Sequence, residues 1–128
     1  MITLAEENYL KAILVISLNT NKKASTNAIA DEISTSAASV SDMLKKLQEK
    51  GLIRYEKYKG VELSSKGEKL ATSIIRKHRL WETFLVKELD FSWGEVHDVA
   101  EQLEHIKSTE LVDRLDSFLG FPKFDPHG

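Results

Sequence analysis

The sequence predicts a mainly α-helical fold in which a short β-hairpin separates three N-terminal helices from a second, helical half. Apolar residues recur at the three- and four-residue spacing of amphipathic helices over most of the 128 residues. Both prolines, Pro122 and Pro126, lie near the C-terminus, so proline does not interrupt the helices of the body. Two β-prone runs, at residues 52–56 and 61–63, flank a lysine-rich turn at residues 57–60.

Three helices are predicted before the hairpin, at residues 4–18, 28–33 and 37–50. Ser25 or Thr26 is the expected N-cap of the second helix, because a hydroxyl oxygen accepts a backbone N–H of the first turn. The hydroxyl residues at 34–36 cap the third helix in the same way, and Gly51 stops it. The predicted order is therefore helix, helix, helix, hairpin.

Three further helices are predicted after the hairpin. A long amphipathic helix begins at Ser64 or Ser65 and continues to about Leu89, and shorter helices follow at residues 93–107 and 109–119. Gly120 and Pro122 stop the last helix. We expect a first domain over residues 1–66, a second over residues 67–121, and an extended tail over residues 122–128.

Charge and cysteine content exclude several classes of protein. The chain has 18 Lys and Arg against 20 Asp and Glu, a net charge of −2, whereas a protein that coats nucleic acid indiscriminately is strongly basic. Residues 21–66 hold 9 basic against 6 acidic residues, and residues 67–128 hold 8 against 12, so the halves have different roles. With no cysteine there is no disulfide framework, thiolate zinc site or thiol nucleophile.

No targeting segment is recognised in the sequence. The N-terminus lacks the basic and apolar regions of a secretory signal, and no apolar run approaches 18 residues. We therefore expect a cytoplasmic protein with no membrane partner.

The order of elements in the first half is that of a winged helix-turn-helix, whose second helix enters the major groove of DNA. Hydroxyl groups at the start of the third helix can bind a phosphate there, small alanines allow close approach to thymine methyls, and the lysines of the hairpin can follow the DNA backbone or a minor groove. The candidate DNA-binding residues are Thr26, Ser36, Ala37, Ala38, Ser39, Ser41, Asp42, Lys45, Lys46, Lys57 and Lys59. The alternative is an ordinary solvated helix face.

A helix-turn-helix of this kind usually binds a pseudo-palindrome as a dimer, so a homodimer is implied.

Histidine and glutamate recur at helical spacing in the acidic half. His97, Glu101, Glu104 and His105 are at positions i, i+4, i+7 and i+8 and share one face of the predicted helix, and His78 and Glu82 are at i and i+4 on the long helix. Imidazole and carboxylate donors suit Mn²⁺, Fe²⁺ or adventitious Zn²⁺ better than Cu⁺. The alternative is a set of surface ion pairs. No Ser/His/Asp arrangement, phosphate-binding glycine loop or HExxH motif is present, so an enzyme is not expected.

The chain resembles the diphtheria-toxin-repressor family of metal-dependent bacterial repressors, which includes iron-dependent regulators and manganese transport regulators. The resemblance is carried, in order and spacing, by residues 7–10, 36–47, 77–80 and 96–105 and by the ending Asp125-Pro126-His127-Gly128. It covers essentially the whole chain. Longer members continue into an SH3-like domain, so we expect either a short regulator or a tail that leads to such a domain.

The resemblance implies two metal sites. A primary, activating site is implied from Asn8, Glu101, Glu104 and His105, and an ancillary site from His78, Glu82 and His97. Asn8 stands where manganese regulators have Asp and iron regulators Met, and Lys11 stands where binuclear manganese regulators have Glu. Glu101 replaces the Cys of iron regulators, which favours Mn²⁺ over Fe²⁺.

The resulting hypothesis is a metal-dependent repressor of metal-homeostasis genes, with Mn²⁺ favoured and Fe²⁺ second. The metal would fix the DNA-binding domain relative to the dimerisation helices and so set the spacing of the two recognition helices. Two alternatives are a winged-helix regulator controlled by a small organic effector and a metal-dependent hydrolase. The dimer interface is expected at Leu111, Leu115, Phe118 and Leu119 with the region of Trp93, unless these residues form an intrachain core.

Overall fold

The computed structural model describes residues 2–122, and in this range six α-helices and one two-stranded antiparallel sheet are formed. The elements are α1 (Leu4–Thr20), α2 (Thr26–Ile33), α3 (Ala37–Glu49), β1 (Ile53–Glu56), β2 (Gly60–Leu63), α4 (Ser65–Leu89), α5 (Trp93–Leu103) and α6 (Thr109–Phe118). The predicted mainly helical fold with one hairpin is thus confirmed. The chain divides into two compact units between Thr72 and Ser73, within α4. Of the predicted tail, residues 123–128 lie outside the described part.

Serine side chains begin the two helices of the predicted helix-turn-helix. Ser25 is the N-cap of α2 and accepts the Ala28 N–H at 3.0 Å, and Ser36 is the N-cap of α3 and accepts the Ser39 N–H at 3.1 Å. Ser34 has a different role, because it adopts a left-handed φ of 59° and ends α2. The hydroxyl cluster between the helices therefore both ends one helix and begins the next.

The core of the first unit is packed from its three helices and the hairpin. α3 contributes Val40, Leu44 and Leu47, which are fully buried, and α1 and α2 bring further apolar side chains to the same cluster. Burying apolar area in this way is the main stabilising contribution to such a fold. The polar face of α3 is left exposed, and this positions the candidate DNA-binding residues on the surface.

The hairpin is joined by a third segment that the sequence did not indicate. In the hairpin Ile53 pairs with Leu63 and Glu56 with Gly60. Ala24, just before α2, also pairs with Val61 through two backbone hydrogen bonds of 2.8 and 2.9 Å. Gly60 has a φ of 91°, and a Cβ there would lie 3.0 Å from the Cβ of Lys23, so the close approach of the two segments favours glycine.

The second unit contains the rest of α4 together with α5 and α6. Leu80, Val112 and Leu115 form its buried cluster. Arg76 of α4 donates to Asp116 of α6 at 2.8 Å and pairs with Asp113 at 3.4 Å. These hydrogen bonds, against the opposing effect of burial, raise the pKa of Arg76, and the two ion pairs connect α4 to α6. No helix among the described residues combines the length and the apolar character needed to cross a membrane.

One predicted boundary is wrong. The helix expected at residues 93–107 ends at Leu103, and Glu104 is its C-cap. The Ile106 N–H bonds to the Leu103 carbonyl, and Ser108 adopts an extended conformation to cap α6. Apolar spacing alone did not show this end, because Ile106 continues the helical pattern beyond the last helical residue.

Candidate metal centre and nucleic-acid interface

The candidate DNA-binding side chains of α3 lie mostly on the exposed face of the first unit. The residues at its N-terminus and the two lysines are exposed, whereas Ser41 is half-buried, as is Thr26 on α2. The set on α3 comprises Ser36, Ala37, Ala38, Ser39, Ser41, Asp42, Lys45 and Lys46. Val40, Leu44 and Leu47 on the opposite side fix the rotation of the helix. The arrangement is that of a helix available for groove contact.

The hairpin turn presents an aromatic residue between two lysines. Tyr58 is 93% exposed, and the backbone at this position has a φ of 69°. Lys57 places its Nζ 5.3 Å from the centroid of that ring, and Lys59 pairs with Glu56 at 3.2 Å. Both lysines are exposed, so their charge is available to an anionic ligand.

A groove of about 520 Å³ lies between α3 and the hairpin. Lys45 and Lys57 line it together with Gln48, Glu49 and Tyr55. Gln48 and Tyr55 were not among the predicted residues, because their participation depends on the packing of β1 beside α3. The groove brings the two lysines from different elements to one concave surface.

In the second unit, His78, Glu82 and His97 form a three-residue cluster suited to a metal ion. Each offers one ligand atom, and these atoms all lie within 4.8 Å of one another. Glu82 Oε2 lies 3.3 Å from His78 Nε2 and 3.8 Å from His97 Nδ1. The two imidazole rings meet edge to face with centroids 4.9 Å apart. α4 supplies the first two residues one turn apart, and α5 supplies the third.

This cluster fits a divalent cation by distance and by chemistry. Two donors bound to one ion at about 2.2 Å can be at most about 4.4 Å apart, and the two distances to Glu82 Oε2 satisfy this limit. His97 is 59% exposed in its side chain, so it has room for the small movement that closes the set. Two imidazoles and a carboxylate suit Mn²⁺, Fe²⁺ or Zn²⁺.

Glu104 connects this cluster to the end of α5. Its side chain is fully buried, and its Oε1 lies 2.7 Å from His78 Nδ1. His105 places its Nε2 3.7 Å from Glu104 Oε2. α5 ends at Leu103 with Glu104 as its C-cap, whose N–H still bonds to the Ala100 carbonyl, and His105 lies in the turn after the helix. The prediction that His105 continues one helix face with His97 and Glu101 is therefore wrong.

Glu101 lies on α5 with its Oε1 2.9 Å from His97 Nε2. The resemblance implies that Glu101 belongs to the same site as Glu104 and His105, and its Oε1 also contacts His97. Asn8, the remaining predicted ligand, lies on α1 and is half-buried within the first unit. The second unit therefore brings together six of the seven candidate ligands.

Large apolar side chains are exposed on the second unit. Trp93, Leu111 and Phe118 are 53%, 41% and 64% exposed, whereas Leu115 is buried in the cluster with Leu80 and Val112. The rings of Phe84 and Phe118 lie 6.2 Å apart. The predicted interface residues thus divide into a buried part, which packs within the unit, and an exposed part.

Two family descriptions together match nearly the whole chain. Residues 1–61 match "Iron dependent repressor, N-terminal DNA binding domain", and residues 64–128 match "Iron dependent repressor, metal binding and dimerisation domain". The chain therefore belongs to the iron-dependent repressor family. The resemblance to diphtheria-toxin repressor and its relatives is confirmed. The family is one of transcriptional repressors, which agrees with the expectation that the chain is not an enzyme.

Several curated proteins are similar to parts of the chain. The iron-dependent repressor IdeR of Mycobacterium tuberculosis is 36% identical over 100 residues, which are 78% of this chain and 44% of that protein. The regulator MntR of Lysinibacillus sphaericus is 32% identical over 115 residues, 90% of this chain and 81% of that protein. A probable metal transport system membrane protein of Chlamydia trachomatis is 42% identical over 81 residues, which cover 63% of this chain and 18% of that protein. The chain thus spans less than half the length of the first and the third.

Solved structures show the same architecture. A manganese-dependent transcriptional repressor in complex with manganese is similar with a TM-score of 0.87 and 43% identity, over 95% of this chain and 56% of that one. ScaR with bound Zn²⁺ is similar with a TM-score of 0.82 and 39% identity, over 96% of this chain and 57% of that one. The predicted winged helix-turn-helix followed by a helical metal-binding and dimerisation domain is thus confirmed as the fold class.

Proposed function

We propose that this protein represses metal-homeostasis genes by binding DNA when a divalent cation, Mn²⁺ in preference to Fe²⁺, is bound. The observation that carries the proposal is the cluster of His78, Glu82 and His97, whose ligand atoms converge within 4.8 Å in a chain of this repressor family. Convergence of two imidazoles and a buried carboxylate is not needed for packing, because apolar residues would fill this space at lower cost.

α3 is proposed to enter the major groove. Its N-terminal hydroxyls and backbone N–H groups would bind a phosphate at the start of the helix, and Asp42, Lys45 and Lys46 lie farther along the helix. Thr26 of α2 and the wing lysines Lys57 and Lys59 are proposed to contact the DNA backbone. The groove between Lys45 and Lys57 has a volume of about 520 Å³, and its two lysines supply charge complementary to a phosphodiester.

The proposed ligands are the two sets implied by the resemblance. His78, Glu82 and His97 form the ancillary set, and the primary set consists of Asn8, Glu101, Glu104 and His105. When bound, the cation would neutralise the carboxylates and hold its ligands in one geometry. Carboxylate at Glu101 and the absence of sulfur donors in either set support Mn²⁺, while Asn8 supplies a neutral oxygen in place of a carboxylate.

We also propose that the protein acts as a homodimer in the cytoplasm. Trp93, Leu111 and Phe118 supply exposed apolar area on the unit that matches a dimerisation domain. Exposed large apolar side chains on a unit of this kind favour an interface between subunits. Two copies would present two α3 helices to the two halves of a pseudo-palindromic operator.

The experiment that tests this function is selection of bound sequences from random duplex DNA at fixed salt, with Mn²⁺, with anaerobic Fe²⁺ or with chelator. We expect enrichment of a palindromic site with metal and strong loss of binding with chelator. Glu104→Ala and His105→Ala should lose the metal dependence, and Glu88→Gln, an exposed carboxylate change on α4, should retain it. Unchanged binding in both ligand variants would exclude the proposed primary site. Equal binding with metal and chelator would favour an organic effector.

A further inference from the structure

In the second unit, carboxylates and imidazoles alternate in one continuous series. Successive N to O distances are 2.9 Å for Glu101 and His97, 3.8 Å for His97 and Glu82, 3.3 Å for Glu82 and His78, 2.7 Å for His78 and Glu104, and 3.7 Å for Glu104 and His105. The division into two ligand sets would separate His78 from Glu104. The shortest distance in the series is the one that joins them.

His78 uses its two ring nitrogens on different sides. Nε2 faces Glu82 within the His78, Glu82 and His97 cluster, and Nδ1 faces the Glu104 carboxylate. An imidazole that binds a metal through one nitrogen carries a proton on the other, and that N–H donates to a carboxylate or carbonyl that fixes the ring and increases the basicity of the bound nitrogen. Glu104 is in the position of this outer carboxylate.

Burial makes the contact strong. Glu104 is fully buried and the side chain of His78 is only 12% exposed, so bulk water is excluded from most of the contact. A charge-assisted hydrogen bond is stronger in such surroundings than at the surface, and removing one partner leaves the other desolvated. The orientation of Glu104 and that of His78 therefore depend on each other.

We propose that His78 is a positioning residue as well as a ligand, and that its Nδ1–H to Glu104 hydrogen bond couples the two ligand sets, so that divalent cations bind them cooperatively. This inference rests on the ligand sets of the proposed function. Coupling is reciprocal, so a cation at either set must strengthen binding at the other by the same factor. Because Glu104 holds the ring of His78, a change at Glu104 should also alter binding at the His78, Glu82 and His97 cluster, although Glu104 is not one of its ligands.

The test is a Zn²⁺ titration of the full chain labelled with ¹⁵N in its histidine rings, followed by long-range ¹H–¹⁵N correlation spectra. Zn²⁺ is diamagnetic, so the ring signals of each histidine stay visible, and the loss of one set of signals in His78→Gln assigns them. We expect His78 to bind Zn²⁺ through Nε2 and to keep a slowly exchanging proton on Nδ1. Binding of Zn²⁺ through Nδ1 would overturn the proposal, and the nitrogen that binds Zn²⁺ is read from the spectrum of the unsubstituted chain.

Two variants distinguish the effect of losing the His78 to Glu104 hydrogen bond from the effect of losing a ligand of the primary set. Glu104→Gln removes the charge that accepts from His78, and we expect the Zn²⁺ affinity of the His78, Glu82 and His97 cluster to fall about 10- to 100-fold. His105→Ala removes a ligand of the same primary set but leaves the hydrogen bond intact, so this affinity loses only the contribution of a cation at the primary set and should fall less than in Glu104→Gln. An equal fall in both variants would contradict the proposal.

Failure of this inference is distinguishable from failure of the proposed function. The proposed function requires that metal promotes DNA binding, which the selection experiment measures with the unsubstituted chain. Metal-dependent DNA binding with independent sites in the Zn²⁺ titration would leave the repressor function standing and reject the coupling alone.

Discussion

Glu6 and Lys50 form an ion pair that joins the start of α1 to the residue after α3, with Lys50 Nζ 2.7 Å from Glu6 Oε1. The same carboxylate accepts the Thr3 N–H in the capping box of α1. Because Glu6 is buried, with its side chain 3% exposed, the pair holds the C-terminal end of the proposed recognition helix in a defined place. Sequence periodicity gave no sign of this contact between residues 44 positions apart.

Lys50→Met should destabilise the first unit, because the buried Glu6 carboxylate loses its partner. The loss should be only about 1–2 kcal/mol, because Lys50 is 41% exposed and water already screens its charge. Urea unfolding followed by circular dichroism measures this change. Combining Lys50→Met with Glu6→Gln should recover most of the loss, since the amide needs no counter-charge. A double variant as unstable as Lys50→Met would contradict the role given to the pair.

Stability should depend on pH through Glu6. Burial by itself would raise the pKa of this carboxyl, but hydrogen bonds from Lys50 and Thr3 outweigh burial and lower the pKa below its ordinary value of 4.5. A lowered pKa in the folded state adds stability above pH 4.5, and this contribution is lost as the pH falls through the folded-state value. The free energy of unfolding of the unsubstituted chain should therefore fall more steeply below pH 4.5 than that of Glu6→Gln. Parallel curves for the two proteins would show that Glu6 does not contribute.

Ser36→Asp should separate stability from DNA binding. Aspartate is as good an N-cap as serine, so the melting temperature should stay within a few degrees. A carboxylate at the proposed phosphate contact would repel DNA, and affinity for the selected operator should fall at least about tenfold. Ser25→Asp, the same change at the N-cap of α2, is the matched control for melting. Normal operator affinity in Ser36→Asp would remove the start of α3 from the interface.

Lys57→Ala and Lys59→Ala should weaken binding to all duplexes alike, because lysines at phosphates position the protein without reading sequence. Each substitution should make the slope of the logarithm of the association constant against the logarithm of the salt concentration shallower by about 1. Lys87→Ala removes the same charge from α4 in the second unit and should leave the slope unchanged. The measurement is fluorescence anisotropy at several salt concentrations, and a slope unaffected by both wing substitutions would exclude the wing from the interface.

The sequence predicted the helices and the hairpin well, because the residues that begin and end these elements act on their near neighbours in the chain. A serine that caps a helix does so through the residues just beyond it, as Ser36 does with the Ser39 N–H, and Gly51 follows α3 with a φ of 73°. The helix order and the hairpin followed from such signals. The end of α5 was missed, because the apolar pattern continues to Ile106 although a turn follows Leu103 and leads to the Ser108 cap of α6.

The residues of the candidate site could be predicted from the sequence, but only some of the contacts between them could. Spacing placed His78 and Glu82 on one helix face, but no local pattern shows that His78 bonds to Glu104, which is 26 residues away. The pairing of Ala24 with Val61 was missed for the same reason. Contacts between elements are set by tertiary packing, which a single sequence does not display.

The central claim, that a divalent cation controls DNA binding, is tested most directly by the dissociation constant for the selected operator duplex, with saturating Mn²⁺ and with chelator at the same salt concentration. We predict binding at least about 100-fold tighter with Mn²⁺, a coupling free energy of roughly 2.7 kcal/mol. The same dissociation constant with Mn²⁺ and with chelator would contradict the account.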